Sequence, residues 1–285
     1  MNVPFKVNLQ GQVALVTGGG GVLCGTMAQA LAACGAKVAV ADLKPEAAEV
    51  VAAQIVKAGG NAIGVVCNVL EKESLAAANE KVKRELGPVD ILINGAGGNH
   101  PKGTTSLEHL RREDLSGATR DLITFYDLDP KGVEFVFNLN FLGTWLPTQA
   151  FTREMAGKGR GTIINISSMS AFRALTKVPA YSAAKAAVSN FTQWLAVHFA
   201  KVGVRVNAIA PGFFVTDQNR ALLTRPDGSL SPRGNTILAH TPMGKFGVPE
   251  DLIGALLWLT SDDASGFVTG VVIPVDGGFA AFSGV

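Results

Sequence analysis

The sequence predicts an open, doubly wound parallel α/β sheet with helices on both faces. Three observations carry that expectation. Short apolar runs alternate with longer stretches of helical character along most of the chain. Glycine and proline turns punctuate them: Gly18-Gly19-Gly20-Gly21, Gly59-Gly60, Gly87-Pro88 and Pro211-Gly212. The runs themselves are continuous rather than alternating, as strands buried on both faces require.

Val13-Ala14-Leu15-Val16 is the first strand, ended by Thr17 and the four glycines. An alanine-rich helix follows from about Val22 to Cys34 and stops at Gly35. In that setting glycines let a backbone approach a pyrophosphate, and the helix N-terminus supplies N–H groups and positive potential. The plainer account is a tight turn between core elements. The second strand, Lys37 to Ala41, ends at Asp42. That places an acid about twenty residues beyond the turn, where dinucleotide sites bond a ribose hydroxyl. Asp42 repels an additional 2′-phosphate, so NAD(H) is expected over NADP(H), with Lys44 weakening the preference.

Pro45 to Lys57 predicts a helix opened by its proline. Asn61 to Cys67 is a third strand, Glu71 to Leu86 a charged amphipathic helix, and Val89 to Ile93 a fourth strand running into Asn94-Gly95-Ala96-Gly97-Gly98. This is the rhythm of a Rossmann-type sheet, whose ligands bind beyond the carboxyl ends of the strands. Residues 99–130 interrupt it. They are polar, with Asn99, His100, Lys102, Arg111, Arg112 and Arg120, and long insertions at strand ends are often functional, a surface excursion being the alternative.

A helix is expected from Gly132 to Met155, kinked or broken at Pro147. Gly161 to Ser167 is a fifth strand, a long helix follows Pro179, and Val204 to Ile209 is a sixth strand. Residues 213–247, rich in Gly, Pro, Thr and Asn with a helical piece near Asp217 to Thr224, suggest a substrate lid. Pro249 to Thr260 is helical, and Val271 to Val275 is the last strand. With no repeat or linker, one domain over residues 1–285 is expected.

A net charge of +2 without a Lys/Arg run gives no footprint for nucleic acid. The uncharged stretch from Gly11 to Ala36 carries too many glycines and polar residues for a membrane span, and no signal peptide is evident. Three cysteines without metal-site spacing point to a reduced, cytoplasmic protein, and four unclustered histidines to no metal.

Tyr181 and Lys185 lie four apart in the helix after Pro179 and so share one face. A lysine ammonium beside a tyrosine favours the phenolate and lowers a pKa that is otherwise about 10, as suits proton exchange with a carbonyl or alcohol oxygen. By itself the spacing is common, and two surface residues on an alanine-rich helix would produce it.

The combination of Thr17-Gly18 with the glycine turn, Asp42, Asn94-Gly95-Ala96-Gly97, Asn140-Phe141-Leu142-Gly143, Ser168, Tyr181-x-x-x-Lys185 and Pro211-Gly212-x-x-x-Thr216 resembles the short-chain dehydrogenase/reductase family over nearly the whole chain. The resemblance implies roles. Tyr181 is the general acid in ketone reduction and the base in alcohol oxidation. Lys185 lowers its pKa and holds the nicotinamide ribose. Ser168 bonds the reacting oxygen, and Asn140 holds a water that links Lys185 to solvent. It also implies a cofactor cradle of Gly18, Gly20, Gly21, Val22, Leu23, Asp42, Asn68, Val69, Asn94, Gly95, Ala96, Tyr181, Lys185, Pro211, Gly212, Phe214 and Thr216, and a homotetramer.

The chain departs from the family pattern in three respects. Val22 and Cys24 stand where it usually has glycines, Asn68 replaces an aspartate, and Gly95 replaces a second asparagine. Within the family the chain is most similar to a subgroup described as D-mannonate oxidoreductases (fructuronate reductases), through Thr17 to Gly25, Asn94 to Pro101, Pro211-Gly212-Phe213-Phe214, Asp276-Gly277-Gly278-Phe279 and the 99–130 insertion. A sugar acid needs a cation for its carboxylate and polar groups for its hydroxyls. Asn99, His100, Ser168, Arg173, Lys177, Gln218, Asn219 and Arg220 are the candidates, each also explicable as a loop residue. Other readings are another sugar acid or polyol such as 5-ketogluconate, a 3-oxoacyl thioester reductase, or a nucleotide-binding sensor without catalysis.

Overall fold

The computed structural model describes residues 6–116, 121–216 and 220–284. Seven strands, β1 (Val13–Thr17), β2 (Lys37–Asp42), β3 (Asn61–Val66), β4 (Ile91–Asn94), β5 (Gly161–Ile166), β6 (Val204–Pro211) and β7 (Val272–Val275), form one sheet in the order β3-β2-β1-β4-β5-β6-β7. Every neighbouring pair is parallel. The helices are α1 (Val22–Ala33), α2 (Pro45–Lys57), α3 (Lys72–Glu85), α4 (Pro130–Phe137), α5 (Gly143–Phe151), α6 (Arg153–Lys158), α7 (Pro179–Phe199), α8 (Arg220–Leu223), α9 (Pro232–Ala239), α10 (Ile253–Thr260) and α11 (Asp262–Ser265).

Strand alternation divides the core into two layers. Ala14 and Val16 of β1 pack with Met27, Leu31, Leu252, Leu256 and Leu259 on one face. Val13 and Leu15 pack with Leu75, Val82, Phe151, Met155 and Leu195 on the other. Both faces are thus covered by apolar side chains, which accounts for the unbroken hydrophobic runs. The strand order reverses between β1 and β4, where the chain leaves in one direction for β2 and β3 and returns on the other side. A crevice opens beyond the carboxyl ends of the strands at such a point.

The helix expected from Gly132 to Met155 differs in detail. It begins at Pro130, capped by Asp129, whose carboxylate accepts from the Lys131 N–H at 2.9 Å. It widens into a π turn over Asn138–Leu142 and carries Pro147 inside α5. The bend falls at Thr152 instead. Threonine hydroxyls cover successive carbonyls along this stretch: Thr144 donates to Asn140 O, Thr148 to Thr144 O and Thr152 to Thr148 O, at 2.9, 2.7 and 2.6 Å. These bonds brace the helix on either side of Pro147, whose missing N–H leaves the Gly143 carbonyl without its usual donor.

The insertion contains no strand among its described residues, only 3-10 turns at Pro101–Gly103, Arg112–Ser116 and Phe125–Asp127. The lid region contains α8 and α9, the latter not foreseen and capped by the Ser231 hydroxyl at 3.0 Å from the Gly234 nitrogen. Arg120, Asp217, Gln218 and Asn219 lie outside the described residues. Among the described residues no helix is long and apolar enough to cross a membrane, and no cluster of His, Cys, Asp or Glu could hold a metal ion.

Candidate active site

The glycine turn joins β1 to α1 with almost no room for side chains. Gly18 has φ +65°, and a Cβ on it would lie 3.0 Å from the Ala96 backbone. A Cβ on Gly20 would meet Ala47 at 2.5 Å. Gly21 caps α1 without a side-chain bond, so the helix begins at Val22 with its first N–H groups uncapped by any side chain. This end of α1 suits a phosphate. The displaced glycines thus leave the strand–turn–helix arrangement intact. Asp42, partly exposed at the end of β2, accepts from the Gly20 N–H at 3.1 Å and the Lys44 N–H at 3.0 Å, and so anchors the turn itself.

The end of β4 lies beside this turn. Thr17 Oγ1 accepts from the Gly95 N–H at 3.0 Å and the Ala96 N–H at 3.2 Å. Asn94 points away from the crevice: it is 1% exposed, and its Nδ2 donates to Thr148 and to Asn165 at 3.0 and 2.9 Å. Asn165 in turn donates to Thr192 of α7 at 2.9 Å. Asn94 thus ties β4 to β5 and α5, and only its backbone can face a ligand. Asn68 is used locally, accepting from the Leu70 N–H at 3.1 Å and donating to Glu71 at 2.8 Å. Val69 is buried against Gly143.

Tyr181, Lys185, Ser168 and Asn140 come together from three directions. Tyr181 and Lys185 share a face of α7, with Nζ 5.7 Å from the ring centroid. Lys185 is buried and donates to Ile166 O at the end of β5 at 2.8 Å. Ser168, just beyond β5, accepts from the Ser170 N–H at 3.2 Å and interacts with Tyr181 through its hydroxyl. Asn140, buried in the π turn, donates to Gly98 O and Val136 O at 2.7 and 2.8 Å. A Cβ on Gly97 would stand 2.7 Å from Asn140 Oδ1 and 3.2 Å from Lys185 Nζ, so this glycine covers both residues closely.

The electrostatics correct one expectation. Burial pushes the Tyr181 phenol above its ordinary pKa, and the Ser168 hydroxyl pulls against that shift. Lys185 is not what sets it. Burial also pushes Lys185 down, to about 8, against the opposing influence of Cys24. Both groups respond mainly to desolvation, which disfavours phenolate and ammonium alike.

Around the mouth, several expected substrate residues brace the loops. Asn99 donates to Thr104 at 2.9 Å. His100 Nδ1 accepts from the Lys102 N–H at 3.2 Å, and its ring lies 5.1 Å from Phe135. Arg173 Nε donates to Ala280 O of the C-terminal tail at 3.2 Å. Phe214 is 3% exposed and packs on Gly247 rather than facing the crevice. Pro211 ends β6 beside Val275, Gly212 donates to Val275 O at 2.9 Å, and Thr216 O accepts from the Arg220 N–H at 2.8 Å. Arg233 was not anticipated: it reaches Glu108 at 3.2 Å and Thr176 O at 3.4 Å, and no local motif marks it.

The sequence model described as short chain dehydrogenase matches residues 12–226. The chain belongs to the short-chain dehydrogenase family. An uncharacterized oxidoreductase of Haemophilus influenzae is 55% identical over 285 residues, all of this chain and 99% of that protein. A crystal structure from Haemophilus influenzae, of a protein provisionally named a D-mannonate oxidoreductase and with NAD bound, is 53% identical, with both chains covered in full and a TM-score of 0.93. A gluconate 5-dehydrogenase from Burkholderia cenocepacia, in complex with NADP and tartrate, is 30% identical over 97% of this chain and 98% of that one, with a TM-score of 0.80.

Proposed function

We propose that this enzyme interconverts D-fructuronate and D-mannonate with NAD(H). The observation that carries the chemistry is the convergence of Tyr181 and Lys185 on one face of α7 with Ser168 beside the phenol. The substrate assignment is supported by the likeness to the Haemophilus oxidoreductase, at 53% identity against 30% for the gluconate enzyme. The bound nicotinamide supplies the hydride for reduction and accepts it in oxidation.

Reduction requires a proton at the carbonyl oxygen. Tyr181 is held protonated at neutral pH by burial and is the donor. The Ser168 hydroxyl donates to the same oxygen as negative charge develops there. Lys185, at about 8, changes charge close to neutral pH, which suits a group that returns a proton to Tyr181. Asn140 holds the water through which that proton comes from solvent. Lys185 also bonds the nicotinamide ribose.

The uncapped start of α1 takes the pyrophosphate, through Gly18, Gly20, Gly21, Val22 and Leu23. Asp42 takes the adenosine ribose and disfavours a 2′-phosphate, so NAD(H) is preferred over NADP(H). Asn68 and Val69 lie at the adenine, and the Gly95–Ala96 backbone, Pro211, Gly212 and Thr216 at the nicotinamide half. Arg173 and Arg220 flank the sugar-acid carboxylate, with Asn99 and His100 across from them; the insertion at 99–130 and the lid at 213–247 enclose it. The enzyme works in the reducing cytoplasm, where Cys24, Cys34 and Cys67 remain thiols. It assembles as a homotetramer, a reading supported by the exposed Trp194 and Val197 on α7.

The test is NADH oxidation with D-fructuronate beside 5-ketogluconate and an acetoacetyl thioester, each repeated with NADPH. Preference for fructuronate with NADH is the expected result. Preference for another ketone overturns the substrate assignment and keeps the chemistry. NADH binding without turnover of any ketone overturns the catalytic reading.

A further inference from the structure

Two of the positions that depart from the family pattern touch each other. Cys24 lies in the first turn of α1, and Gly95 is the first residue beyond β4. A Cβ built on Gly95 would lie 2.2 Å from Cys24 Sγ, 2.8 Å from Thr17 O and 3.5 Å from Cys24 Cβ. The sulfur would have to move by more than about an ångström to reach ordinary contact, and the Thr17 backbone carbonyl, closer than a Cβ ordinarily comes, would have to shift as well. Cys24 therefore fills the space that a side chain at position 95 would take.

The location gives this exchange a consequence. The Gly95–Ala96 segment is held from β1 by the Thr17 hydroxyl, which accepts both N–H groups, and is closely approached by Gly18. Cys24 is the contact that reaches it from α1. It is 6% exposed, and burial keeps its thiol protonated, pushed up to about 12. The same sulfur feels the charges of both Lys185 and Asp42.

We propose that Cys24 is a positioning residue for the dinucleotide: its side chain replaces one at position 95 and sets the spacing between the phosphate turn and the end of β4. The proposal rests on the reading of this crevice as the NAD(H) site. The two departures are then one compensated change. With Cys24 present the sulfur is the nearest obstacle to a side chain at 95, added to the Thr17 carbonyl, and Cys24 fills the space that Gly95 leaves.

The test compares the parent protein with Cys24→Gly, Cys24→Ser, Gly95→Ala and the double variant Cys24→Gly/Gly95→Ala. NADH is titrated directly, without substrate, and thermal midpoints are followed alongside. Gly95→Ala is expected to weaken NADH binding about tenfold or more, and the double variant to recover a clear part of that loss, as contacting residues do in a mutant cycle. Cys24→Gly should raise KM for NADH at least about threefold while kcat falls less than about twofold, and Cys24→Ser should restore the affinity because it nearly keeps the volume. Losses that multiply in the double variant would overturn the proposal. Should Gly95→Ala fail to fold, the Cys24 pair decides: equal losses in Cys24→Gly and Cys24→Ser, or none in either, would also overturn it. A parent that binds NADH but turns over no fructuronate refutes the substrate assignment alone and leaves this titration valid.

Discussion

Asn140 and the peptide of Gly98 hold each other reciprocally. Asn140 Nδ2 donates to Gly98 O at 2.7 Å, and Asn140 Oδ1 accepts from the Gly98 N–H at 3.2 Å. The second Nδ2 proton goes to Val136 O at 2.8 Å, so both amide protons are used where the helix widens into its π turn. Asparagine supplies two donors and an acceptor here; aspartate of the same shape would face two carbonyls with none to donate.

Asn140→Asp should therefore cost about 1–3 kcal/mol of stability, since buried carbonyls lose their donors. Urea midpoints give the check. Turnover should fall at least tenfold, roughly the scale of losing an ordered proton path, while NADH binds within a few-fold of the parent. Parental stability would show that the reciprocal pair does not hold β4 to the π turn.

Tyr181→Phe should lower turnover by about 10²–10⁴-fold with NADH binding retained, the range for removing a general acid. The raised phenol pKa adds a direction. Tyr181 is protonated at neutral pH, so reduction should fall and alcohol oxidation should rise as pH increases. Rate profiles in the two directions with the same optimum would contradict this assignment.

The buried groups also predict how stability changes with pH. Lys185 is depressed to about 8, so between there and its unfolded value the unfolded chain binds the extra proton and stability rises with pH. Cys24 and Cys67 are raised to about 12 and about 11, so above the ordinary thiol pKa the folded chain binds the extra protons and stability falls. The two effects oppose each other, so stability should rise with pH above neutrality and fall again once the thiols ionise in the unfolded chain. Lys185→Met should remove the rise and keep the fall. Denaturant midpoints across this range test it, and a rise that persists in Lys185→Met would mean another group is responsible.

Asp42 has two tasks that a single substitution can separate. Its carboxylate holds the Gly20 N–H, and on the proposed reading of the crevice its charge opposes a 2′-phosphate. Asp42→Asn keeps an acceptor for Gly20 and removes the charge, so it should narrow the NADH-to-NADPH preference with little loss of stability. Asp42→Ala should narrow the preference and also cost about 1 kcal/mol through the unpaired turn N–H. A preference that survives both changes would release Asp42 from cofactor selection.

Much of this was legible in the chain because it is written locally. The strand–turn–helix units announce themselves by continuous apolar runs and glycine turns, and the strands fall within a few residues of expectation. Tyr181 and Lys185 were found through helical spacing. What local pattern cannot give is the direction in which a side chain points. Asn94 ends β4 and Phe214 follows β6, yet each turns inward because a partner, Thr148 or Gly247, is supplied from far along the chain. The expected pKa of Tyr181 erred for a related reason. Spacing reports that Lys185 is near; the depth that desolvates both groups depends on packing between helix and sheet.

Arg233 ties together the loops over the site. From α9 it reaches Glu108 in the insertion and the Thr176 carbonyl in the segment that leads into α7, at 3.2 and 3.4 Å. The Thr105 N–H donates to Lys177 O at 2.9 Å in the same place, where Lys177 holds φ +73°, costly for a residue other than glycine. Insertion, lid and catalytic helix are thereby joined. Glu108 is half-exposed, so the pair itself contributes under about 1 kcal/mol. Its effect should appear in KM and not in the melting temperature. Arg233→Glu and Glu108→Arg should each raise KM for the sugar acid about three- to tenfold, by leaving like charges facing across the gap. The double reversal should recover most of it, and all of these differences should shrink at high salt as the charges are screened. A double variant no better than the worse single one would show that Arg233 acts by packing or by direct contact with substrate, and that the ion pair to Glu108 does not hold the lid.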